Sequence, residues 1–127
     1  MSNAELVVAD FFARLDVADF EKSRLAFGES ITDDCVWMNS GFPTCEGKQA
    51  CLGFWDGFNQ ASGFVGLRVE MIAAAVTGDT VVTERIDHLL NAAGEVFASI
   101  PLAGVLVVRD GKIAAWRDYF DPRPLMG

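Results

Sequence analysis

From Gly66 to Phe120 the chain is one β-forming run after another, separated by turns too short for anything but reversal. Gly66–Thr77 is rich in Val, Ile and Ala and closes at Gly78-Asp79. Thr80–Leu90 follows and closes at Asn91-Ala92-Ala93-Gly94. Glu95–Val108 is the third run, with Pro101 inside it, where the missing N–H predicts a bulge or break. Arg109-Asp110-Gly111-Lys112 is a strong hairpin signal leading into a last strand, Ile113–Phe120. Four strands joined this way form an antiparallel meander, because parallel neighbours need long crossovers.

The first half has helical spacing instead. Asn3–Leu15 reads as an amphipathic helix with Asn3 as N-cap and Leu6, Val7 and Phe11 on its periodic face. Asp19 caps a second helix from Phe20 to Phe27, and Gly28 is placed to end it. A short strand, Cys35–Asn39, and a Gly/Pro turn, Ser40–Thr44, precede a third helix from Gly47 to about Asn59. Helices followed by a meander indicate an α+β fold, with helices packed in a strongly curved, mostly antiparallel sheet that leaves a conical cavity. With 127 residues, the chain is expected to be a single domain over 1–127.

A net charge of −8 and the lack of any basic cluster exclude nucleic acid and anionic membranes as expected partners. The N-terminal sequence has no signal-peptide pattern and no apolar run is long enough to span a bilayer, so a cytoplasmic protein is expected. Cys35, Cys45 and Cys51 give neither a disulfide framework nor a zinc spacing, and His88 is the single histidine. No metal site is expected, and any chemistry falls to carboxylates.

Strand alternation then makes three polar placements conspicuous. Arg85 and Asp87 share one face of an otherwise apolar strand, which Leu89 continues. Asp118 shares a face with Trp116 and Phe120, and Asn39 with Trp37. His88, Arg117, Tyr119 and Asp121 point the other way. Charge on an apolar face must be paired, so these residues are expected to form an Asp–Arg–Asp cluster at the floor of an apolar pocket. Two acids sharing one guanidinium titrate apart, so one can donate a proton while the other accepts one. Such a triad serves equally well to fix strand register, and the residues alone leave both readings open.

The segments Trp37–Thr44, Thr83-Glu84-Arg85-Ile86-Asp87 and Trp116-Arg117-Asp118-Tyr119-Phe120-Asp121, with the hairpin Arg109–Ile113, resemble the limonene-1,2-epoxide hydrolases in order and spacing. The resemblance runs from about residue 5 to residue 121. It implies the cone-shaped fold of the nuclear-transport-factor-2-like (cystatin-like) superfamily and a one-step addition of water to an apolar epoxide, without metal, cofactor or covalent intermediate. In that scheme Asp118 is the base that deprotonates water, Asp87 the acid that protonates the epoxide oxygen, Arg85 the bridge between them, and Asn39 the amide that helps hold the water. Trp37, Trp116, Phe120 and Leu89 are the expected substrate-binding residues, and analogy implies a homodimer. Trp37 is a departure, because the family pattern has a water-holding tyrosine there. An indole only donates, so Trp37 is expected to narrow the pocket. The other readings are a ketosteroid-isomerase or polyketide-cyclase relative, and a non-catalytic domain that binds apolar small molecules.

Overall fold

A computed structural model describes residues 2–126. Helix α1 (Asn3–Leu15) leads into α2 (Phe20–Ser30), then β1 (Ile31–Asn39), β2 (Cys45–Glu46) and α3 (Lys48–Ser62). The strands β3 (Gly66–Thr77), β4 (Thr80–Leu90), β5 (Val96–Arg109) and β6 (Lys112–Tyr119) follow, with a terminal 3₁₀ turn at Arg123–Leu125. The fold is α+β, as expected. The meander β3–β4–β5–β6 is antiparallel throughout.

Two strands lie outside that meander. The sheet has six strands in the order β2-β1-β6-β5-β4-β3, and β1 runs parallel to β6. Local patterning cannot show this pairing, because its partners are about eighty residues apart. It matters for the site, since it brings Asn39 directly opposite Asp118.

The helix ends differ from the sequence reading in ways that have local causes. Ser2, not Asn3, caps α1: its Oγ accepts from Glu5 N at 3.2 Å, while Glu5 Oε1 accepts from Ser2 N at 3.2 Å. This reciprocal pair satisfies two otherwise orphaned N–H groups. The buried stripe of α1 is Ala4, Val8, Phe11, Phe12 and Leu15, and Leu6 faces outward. Asp19 caps α2 as expected, accepting from Lys22 N at 3.0 Å. Gly28 does not end α2, which continues to Ser30. A Cβ there would lie 3.6 Å from Leu52 of α3, an ordinary van der Waals contact, so neither the backbone nor the space requires glycine at this position. Helix α3 stops at Gly63, whose φ of 80° is the left-handed geometry that favours glycine at a helix end.

Pro101 causes no break. It sits in register opposite Ile86, and the irregularities in β5 fall elsewhere, near Leu90 and Val108. Strand β6 extends only as far as Ala103, so Pro101 has no partner strand on that flank, where a residue without an N–H is tolerated.

All three helices cover the concave side of the sheet. Phe27 stacks on Trp55 at 4.4 Å between ring centroids, and Phe11 meets Trp116 edge-on at 5.2 Å. Burying each such ring contributes roughly 1.5–3 kcal/mol. Cys35, Cys45 and Cys51 are buried free thiols. Among the described residues no helix is long and apolar enough to cross a membrane.

Candidate active site

Register assembles the site. Thr83 on β4 lies opposite Gly104 on β5, Gly104 opposite Asp118 on β6, and Asp118 opposite Asn39 on β1. One row across four strands therefore carries a hydroxyl, a gap, a carboxylate and an amide. Arg85 and Asp87 come from the same face of β4, two and four residues beyond Thr83.

The Arg85 side chain is fully buried, and partners surround its guanidinium. Nε donates to Asp87 Oδ1 at 3.0 Å and Nη2 to Asp87 Oδ2 at 2.9 Å, a two-pronged contact. Nη2 also donates to Asp118 Oδ2 at 2.9 Å. Nη1 donates to Thr83 Oγ1 at 2.9 Å, and the Phe12 ring of α1 covers the cation, its centroid 4.7 Å from Cζ. The other oxygen of Asp118 accepts from Trp116 Nε1 at 2.8 Å.

Burial sets the electrostatics. Two acids and one guanidinium leave a net negative charge in a dry site unless one proton is retained. Burial pushes the Asp118 carboxyl up to about 6, against the pull of the Arg85 charge and its hydrogen bond, while the charge of Asp87 adds to the rise. For Arg85, burial acts to lower the pKa, but the hydrogen bond and charge of Asp87 and the charge of Asp118 outweigh it and hold the guanidinium charged.

Both acids open into a cavity of about 80 Å³ under α3. Its walls are aromatic, including Trp37, Phe54, Trp55, Trp116 and Phe120, and Leu89 and Asn39 also line it. The residues singled out from the sequence thus meet at one place. Asp87, Asp118, Asn39, Trp37, Trp116, Phe120 and Leu89 line the cavity, and Arg85 lies behind the two acids. Trp37 is a wall: it stacks on Trp116 at 5.1 Å with 16° between the planes and meets Phe54 edge-on. Its Nε1 is buried with no hydrogen-bond partner. His88 is on the other face of the sheet, as alternation requires, with Nδ1 2.8 Å from Ser99 Oγ and Nε2 3.2 Å from Glu70 Oε1. No grouping of His, Cys, Asp and Glu suited to a metal ion occurs among the described residues.

Sequence reasoning missed Gly104, Phe12 and the role of Thr83. Two of them left signals. Thr83 shares the face of Arg85 and Asp87 by alternation, and a glycine in mid-strand often marks the close approach of another group. Phe12 left none, since it reads as ordinary core.

A curved sheet wrapped around three helices, with an acid-lined apolar cavity inside, is the nuclear-transport-factor-2-like fold. The chain belongs to the limonene-1,2-epoxide hydrolase family: the model of the limonene-1,2-epoxide hydrolase catalytic domain matches residues 2–126. It is 33% identical over 114 residues to epoxide hydrolase EphG of Mycobacterium tuberculosis, covering 90% of this chain and 70% of that protein. A solved structure of a limonene-epoxide-hydrolase-like epoxide hydrolase from M. tuberculosis superposes with a TM-score of 0.71 at 27% identity, covering 95% of this chain and 84% of that one. A SnoaL-like protein from Jannaschia sp. CCS1 shares the fold, with a TM-score of 0.72 at 18% identity, covering 98% of this chain and 89% of that one.

Proposed function

We propose that this protein hydrolyses an apolar epoxide to a vicinal diol in a single acid–base step. The observation that carries the reading is the Nη2 atom of Arg85, which is 2.9 Å from an oxygen of each acid while both acids face one apolar cavity.

Asp118 is the base, because Asn39 lies opposite it in the β1–β6 register and can hold a water against it. Asp118 takes a proton from that water as the water oxygen bonds to an epoxide carbon. The carbon–oxygen bond of the ring breaks, and Asp87, which enters the step carrying the one proton that the two acids retain, delivers it to the departing oxygen. Negative charge thereby moves from Asp118 to Asp87. Arg85 donates to both, so the charge stays within hydrogen-bond reach of one cation throughout, without reorganisation. A base that titrates near 6 is ionised at neutral pH yet still basic enough to accept a proton.

The walls offer a ligand little polar contact besides Asn39 and the two acids, which supports a substrate with no charged group. The small volume supports a compact one. Apolar side chains exposed on the sheet, such as Val82 and Ile72, support a homodimer contact. Incubation with a panel of small apolar epoxides and, separately, enones tests the reading. Diol formation is expected. Enone isomerisation without diol formation points to the isomerase-type alternative, and tight ligand binding without any turnover points to a binding domain.

A further inference from the structure

We infer that Gly104 and Thr83 are positioning residues that seat the Arg85 guanidinium between the two acids; the inference rests on the epoxide-hydrolase reading of that cluster. A side chain at Gly104 would collide with both Arg85 Nη1 and Asp118 Oδ1. The backbone there is not in the left-handed region, so space alone explains the glycine. The guanidinium lies over this gap on the sheet side, and the Phe12 ring closes it from the helix side.

Thr83 fixes rotation within that slot. Its hydroxyl donates to Gly104 O at 2.9 Å, which turns a lone pair toward Arg85 Nη1, also at 2.9 Å. A guanidinium can only donate, so the hydroxyl proton must point away from it, and the Gly104 carbonyl accepts that proton. With Nη1 held, Nε and Nη2 are directed at Asp87, and the second hydrogen of Nη2 is directed at Asp118. Asp118 receives one N–H from Arg85 and Asp87 receives two. Loosening the seat therefore weakens the Asp118 contact first.

Thr83→Val keeps the shape and removes the acceptor, while Thr83→Ser restores it. In Thr83→Val, kcat is expected to fall by about 10²-fold with KM little changed, the scale of a small misplacement of reacting groups. The carboxyl signal of Asp118, followed by ¹³C NMR, should titrate at higher pH than in the wild type. Thr83→Ser should recover both properties. Gly104→Ala should shift the Asp118 titration in the same direction wherever it folds. A folded Thr83→Val protein with wild-type kcat and an unchanged Asp118 titration overturns the inference, as does a loss that Thr83→Ser fails to repair. Absence of any epoxide turnover in the wild type would instead defeat the epoxide-hydrolase reading, and the titration would still decide whether Thr83 and Gly104 seat Arg85.

Discussion

Asn39 and Asp118 lie directly opposite one another on parallel strands, although 79 positions separate them in the chain. That pairing puts an amide beside the carboxylate at the cavity floor and gives the two acids unequal surroundings. Asp118 has Asn39 and the Trp116 indole as neighbours, and Asp87 takes two N–H groups of Arg85.

Asp118→Asn removes the proton acceptor while keeping nearly the same shape. Turnover should fall by at least the 10²–10⁴-fold typical of a lost general base, about three orders of magnitude at the centre of that range. Binding of an apolar ligand, measured calorimetrically, should change little. Near-normal turnover in this variant removes Asp118 from the mechanism.

The same residue gives a pH dependence of stability with a definite sign. Its carboxyl titrates higher in the folded protein, at about 6, than in the unfolded chain. The folded state therefore holds the extra proton over that interval. The contribution is fully present below about pH 4 and is lost as pH rises through about 6. A rise of this size corresponds to about 3 kcal/mol. Denaturant unfolding of wild type and Asp118→Asn should show the stability difference between them moving against the wild type by about this amount between pH 4 and 7. A difference that is flat with pH contradicts the assignment. Catalysis should run the opposite way, with kcat/KM rising through about pH 6 as Asp118 ionises.

Arg85→Met leaves two buried carboxylates with no cation. Breaking a buried ion pair on one side costs about 3–5 kcal/mol, so urea unfolding should show a loss of that order at pH 7. The loss should shrink in acid, where the acids can protonate. Arg85→Lys should not rescue activity, since an ammonium cannot span both acids with a planar fork.

Trp37→Phe shortens a cavity wall without removing any hydrogen bond, because Nε1 has no partner. Bulkier epoxides should gain in kcat/KM relative to small ones, measured by competition between two substrates. Unchanged selectivity would show that Trp37 does not set the size limit.

Much of this fold was legible because it is local. The turns Gly78-Asp79 and Asp110-Gly111 mark the reversals, and period-two alternation places Arg85, Asp87 and Asp118 on one side of the sheet. What was not legible depends on residues remote in sequence. The β1–β6 pairing has no local signature, and the flank that accommodates Pro101 exists only because β6 ends at that level. Gly28 looked like a helix stop because glycine is the usual end signal, yet the backbone there stays helical and α2 runs on to Ser30. Gly104 was passed over because the groups that need its space, Arg85 and Asp118, arrive from two other strands.

The central claim is that Asp118 activates water and never bonds to the substrate. A single turnover in ¹⁸O-labelled water, with enzyme in excess over epoxide, tests it most directly. The account expects one ¹⁸O in the diol and none in Asp118 or Asp87 by mass spectrometry of the protein. An unlabelled diol together with ¹⁸O in either carboxyl group would contradict it, since that pattern requires a covalent ester.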